Sequence, residues 1–257
     1  MIGLIFNNKE EVKTAVLDNI RNVSLNATKR VDAEFDNEID QIIGRLAEIY
    51  WILNIVINYK DEEINNIKLD SKMTLWQGAN SLMGALQLIR MGYFLEPNFL
   101  LRHAVENLAI ALVLFKDYRR YKDFKKGKLS GEKCIGEARQ VIAQIGQIYG
   151  ALSDMAHPSS KWLGTYVAEK RKTMLIGGGI VDEHVFRVKL DLFILCFLVV
   201  VYLSGAELVF YDLIDEHKFW ERKDRDSFEW SPLEKEKIEA KEKEKLMRDA
   251  LKDFGKS

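Results

Sequence analysis

The chain has 257 residues, 47% of them hydrophobic, enough to bury a sizeable core. Its 38 Lys and Arg against 39 Asp and Glu give a formal net charge of -1, so no overall field draws in a nucleic acid or a membrane surface. Only three prolines interrupt it, which suits long helices, and Cys134 and Cys196 lie too far apart for metal spacing, as expected of a reduced chain with free thiols.

The N-terminal stretch MIGLIFNNKEE has no positive n-region and too short an apolar run for a signal peptide, so a cytoplasmic location is expected. Apolar residues then recur at helical spacing and predict helices over 9–29, 32–59, 71–93, 97–121, 131–156, 182–214 and 232–254. Two seams alternate cleanly by four and three: Phe35, Ile39, Ile42, Leu46, Ile49, Leu53 and Val56, then Cys134, Ala138, Val141, Ile145, Ile148, Leu152 and Met155. Pro97 and Pro232 are expected in first helical turns, where a missing N–H costs nothing, and Asp182 is expected to cap its helix. The segment 158–181 breaks the helical pattern. Its two β-like runs, Leu163–Ala168 and Thr173–Ile176, predict a small hairpin or an ordered loop, and Gly177–Gly179 reads as a hinge or cap. The uncharged run Leu192–Ala206 is shorter than the ~20 residues of a span and reads as a buried central helix, with no membrane contact expected. The last helix alternates Glu and Lys, and is either solvated or an arm for a second subunit or another protein. The resulting fold class is all-α: a multi-helix bundle over 1–226 with an irregular or hairpin insertion near 160–180, and a charged C-terminal helix over 227–257.

Polar residues interrupt the core pattern in two places. The helix from Pro97 carries Arg102, His103, Glu106 and Asn107, pairing Arg102 with Glu106 and His103 with Asn107 one turn apart. The helix ending at Pro158 carries Tyr149, Ser153 and His157, each four residues from the next. If these helices pack antiparallel, Arg102 and Glu106 approach Ser153 and His157. Such a cluster is either a buried network that fixes register or a polar site, with His157 as acid and base and Arg102 holding an anion. No Glu-x-x-His pair, zinc spacing or nucleophile elbow accompanies it, so no metal or cofactor is expected.

The order Arg90-Met-Gly-Tyr-Phe-Leu-Glu-Pro-Asn-Phe-Leu-Leu-Arg-His-Ala-Val-Glu106, then Tyr149-Gly-Ala-Leu-Ser-Asp-Met-Ala-His-Pro-Ser159, resembles a group of uncharacterised bacterial helical proteins. Their theme is an Arg-x-x-x-Glu helix followed by a Leu-Ser…His-Pro helix end, and the resemblance spans roughly 71–215. The pattern is also similar to the wider HEPN-like bundles, many of them dimeric ribonucleases of toxin and anti-phage systems. Those enzymes use an Arg-x(4–6)-His motif, and none of His103, His157, His184 or His217 has an arginine at that distance upstream. The resemblance therefore implies a homodimeric binding or assembly module. The alternative is a metal-independent ribonuclease or RNA-directed effector using Arg102, Glu106, Ser153 and His157.

Overall fold

The computed structural model describes residues 9–55, 62–156, 167–168, 173–174, 178–180, 182–214, 217–223, 230–234 and 237. These form an all-α bundle with two short hairpins. Helix α1 (Lys9–Asp18) passes through a π-helical turn (Asn19–Val23) into α2 (Ser24–Glu34), and α3 (Asp36–Ile55), α4 (Glu62–Arg90) and α5 (Glu96–Lys116) follow. Then come α6 (Tyr121–Lys125), α7 (Gly131–Ala138), α8 (Gln144–Ala156) and α9 (Val185–Val209). Strands β1 (Val167–Ala168) and β2 (Thr173–Met174) pair antiparallel, as do β3 (Trp220–Arg222) and β4 (Trp230–Pro232). The first hairpin lies where the β-like composition places one.

Helix α5 is the hub. It packs on α4, α7, α8 and α9, and its second half, Leu108, Ala109, Ala111, Leu112, Val113 and Leu114, is buried on every face. The α3 seam of Ile42, Leu46, Ile49 and Leu53 is buried, and α3 packs chiefly on α9. Helices α5 and α9 are both long and apolar enough to cross a membrane by length and composition, and most of each is covered inside the bundle.

Two of the close approaches that depend on glycine involve α4. At Gly78 of α4, a Cβ would lie 2.1 Å from the Tyr202 phenol oxygen, so its absence lets α9 press the Tyr202 ring onto α4. That buried phenol donates to the Leu75 carbonyl at 2.7 Å. The second approach follows α4, where Gly92 takes φ +77° and the Gly92 and Tyr93 N–H groups return to the Ile89 and Leu88 carbonyls, both at 2.9 Å. This is a Schellman ending, which left-handed glycine permits without steric cost. The turn packs on the glycine run: Gly179 N–H donates to the Met91 carbonyl at 2.9 Å, and a Cβ on Gly178 would meet that carbonyl oxygen at 2.2 Å. Gly178 and Gly179, in the run expected to form a hinge or cap, are thus buried backbone contacts, and Gly177 lies outside the described residues.

Other boundaries also depart from expectation. The helix predicted over 131–156 is broken at 139–143, although the apolar spacing continues through the turn: Ala138, Ile142 and Ile145 are all buried. Side-chain bonds Arg120–Glu137 (2.8 Å) and Lys116–Gln140 (2.6 Å) tie this turn to the end of α5. Helix α5 stops before Asp117, whose extended backbone and carboxylate cap the next turn through the Arg119 N–H. Helix α4 begins at Glu62, ahead of the expected start at 71. Asp182 opens a 3-10 turn and pairs with Arg30 at 2.7 Å, leaving His184 at the N-cap of α9.

Pro232 ends a strand instead of opening a helix. The expectation of a first helical turn at Pro232 is overruled because Trp220 is buried and its indole N–H donates to Ser204 Oγ at 2.6 Å, which holds the β3–β4 hairpin on α9. Of the rest of the expected C-terminal helix only Leu233, Glu234 and Lys237 are described, and the remainder lies outside the described residues.

Candidate functional site

Arg102 and Glu106 face α8, where Tyr149 meets them. Arg102 Nε donates to Glu106 Oε1 at 3.1 Å, Arg102 Nη2 donates to the Tyr149 oxygen at 2.8 Å, and that hydroxyl donates to Glu106 Oε1 at 3.2 Å. The guanidinium carbon also lies 5.1 Å from the centre of the Tyr149 ring, within cation–π range. These bonds close a ring of three side chains between two helices. Arg102 and Glu106 are half-buried. Burial pulls the Arg102 guanidinium down, and the bonds to Glu106 and Tyr149 more than offset this and raise it. Burial, reinforced by the Glu106 charge, raises the Tyr149 phenol, which keeps its proton available to donate. The start of α7 sits against this ring so closely that a Cβ on Gly131 would lie 2.3 Å from Glu106 Cβ.

Of the sequence-derived candidates, Arg102 and Glu106 are paired as the spacing implies. Ser153 lies one turn beyond Tyr149 on α8, half-buried, and its enclosed Oγ makes no hydrogen bond among the described residues. His157 lies outside the described residues. The exposed His103 contacts Ser81 Oγ through Nδ1 at 2.8 Å, and Asn107 Nδ2 donates to the His103 carbonyl at 2.8 Å. The helix crossing thus brings Tyr149, and not Ser153, to Arg102 and Glu106.

This chain matches no protein-family model, no curated protein and no solved structure. Among the described residues no group of His, Cys, Asp or Glu is placed to hold a metal ion.

Three buried charges were not singled out as functional by the sequence patterns. Lys68 is buried on α4, donates to the Val209 carbonyl at the end of α9 and lies 5.6 Å from the Phe115 and Phe210 ring centres. Burial lowers its ammonium pKa and Asp212 pulls it back up. A cation at a helix C-terminus meets both unpaired carbonyls and the negative end of the macrodipole. Its position three and seven residues ahead of buried Ser71 and Leu75 is the signal that could have found it. Glu207, only 2% exposed, accepts the backbone N–H groups of Lys218 and Phe219 and so anchors the start of β3.

Asp191 is the third. Burial pushes its carboxyl up to about 6 against the pull of Arg187, whose Nε lies 3.0 Å away. A folded-state pKa above the ordinary carboxyl value of 3.8 means that the folded chain holds this proton more tightly than the unfolded one. The associated stability is present at low pH and lost as pH rises through 6. At fixed protein concentration, Asp191→Asn should therefore gain about 2 kcal/mol over wild type between pH 4 and pH 7.5. Urea midpoints at the two pH values measure this, and an offset independent of pH would refute it.

Proposed function

We propose that the chain is a non-catalytic helical binding and assembly module of bacterial HEPN-like type, acting as a homodimer. The observation that carries the non-catalytic part is the closed ring of Arg102, Glu106 and Tyr149. Each member is used by the other two, as in a network that holds α5 and α8 in register. Catalysis by a general base or an anion-binding arginine calls instead for groups directed at a substrate. The second reading, an RNA-directed effector, is favoured by a separate feature. Residues 116–139 at the α5–α6–α7 corner hold nine Lys and Arg against four Asp and Glu in a chain of net charge -1.

One set of variants separates the two. Arg102→Ala should lose about 1–2 kcal/mol in chemical denaturation, because it removes two hydrogen bonds and leaves Glu106 with an uncompensated charge. His157→Ala and wild type should both leave a labelled single-stranded RNA intact. RNA cleavage by wild type, abolished in Arg102→Ala and His157→Ala with folding retained, would replace the first reading with the second.

A further inference from the structure

Helix α9 is buried along most of its length but turns one apolar stripe outward. Phe186 is 77% exposed, Leu190 40%, Phe193 70% and Phe197 45%. Steps of four, three and four residues put all of them on one helix face. Taking about 200 Å² for a whole aromatic ring, the stripe leaves roughly 450 Å² of apolar surface in water. A standard interface draws about 800 Å² from each partner, a little over half of it apolar. The stripe is therefore the size of the apolar part of one such interface.

Its register identifies the partner. The spacing reads four, three, four from either end, so a second α9 laid antiparallel sets Phe186 opposite Phe197 and Leu190 opposite Phe193. Both pairs occur twice, about a two-fold axis passing between Asp191 and Leu192. Such a contact is self-complementary and closes at two copies. Charge favours the same direction. Among the described residues of α9, Lys189 is an exposed cation beside the stripe, and Asp191 is turned inward. Parallel helices would set the two lysines side by side, whereas the antiparallel register offsets them by roughly 7 Å along the axis.

We propose that this stripe is the homodimer interface, with two copies joined through antiparallel α9 helices. The proposal rests on the assembly reading above and adds its face and register. Light scattering on the full chain at tens of micromolar should give twice the 29.7 kDa chain mass for wild type. Phe193→Glu should give the single-chain mass with an unchanged circular dichroism spectrum. A Phe193→Glu chain that stays dimeric overturns this face and leaves the assembly reading standing. A wild-type monomer overturns both, whether it remains free, floats with lipid vesicles or covers the stripe with its own residues 246–254.

Crosslinking tests the register. In a Cys196→Ser background, Phe186→Cys with Phe197→Cys should oxidise to a covalent dimer. Phe186→Cys alone should not, because its two copies would sit roughly 16 Å apart along the axis. Efficient crosslinking by the single variant, or none by the pair, overturns the antiparallel register.

Discussion

Gly78→Ala is expected to destabilise the chain by about 4 kcal/mol, more than its single added methyl group would suggest. The new Cβ would fall 2.1 Å from the Tyr202 oxygen and 2.8 Å from Cζ. Tyr202 cannot swing away, because it is fully buried and its hydroxyl is bonded to the Leu75 carbonyl. Either α4 and α9 separate, which opens the core, or the phenol gives up its bond without access to water. Tyr202→Phe alone should cost about 1–2 kcal/mol through the lost bond. Combined with Gly78→Ala, it should return roughly a third to a half of the loss, since the oxygen is gone while the ring carbon stays too close. A double-mutant cycle by chemical denaturation measures the coupling. Strict additivity would show that the two residues do not meet as described.

Glu207→Ala should cost about 3–5 kcal/mol, because it leaves two backbone N–H groups at Lys218 and Phe219 without their acceptor in a water-poor site. The damage should be local. Amide exchange at 218 and 219 and the emission of Trp220 should change well before the α4–α5 contact does. Glu207→Gln keeps one acceptor oxygen and should fall between wild type and alanine. Equal losses for the two variants would mean that the carboxylate merely fills space.

The all-α class and the α5 hub were legible because helical periodicity and an all-round apolar stretch are strong local signals. The Arg102–Glu106 pair was legible for the same reason, since i,i+4 spacing on one helix needs no tertiary information. Tyr149 was visible as a polar group bordering the right helix, but one turn decides whether it or Ser153 meets Arg102. Residues four apart share a helix face, so the choice depends on how far α8 is shifted along its axis against α5, which the spacing within one helix does not show. The break at 139–143 was hidden because buried residues keep their spacing through the turn. At Pro232 the local signal was genuine but was outweighed by burial of Trp220 some ten residues earlier. The stripe on α9 was invisible for the opposite reason: in a helix apolar on every side, composition does not say which phenylalanines face out.

The contact between Gly179 and Met91 has a kinetic consequence. It joins points 88 residues apart, whereas α4 and α5 are linked by a turn of only five residues, Met91–Leu95. Closing the longer loop costs about 4 kcal/mol of chain entropy before any packing returns it, and closing the short one costs far less. Helices α4 and α5 are therefore expected to pair before the glycine crossing docks onto their turn, an order that folding rates of variants at the two contacts would test. Native-state amide exchange should accordingly find the Gly179 N–H, bonded to Met91, less protected than the amides within the α4–α5 pair.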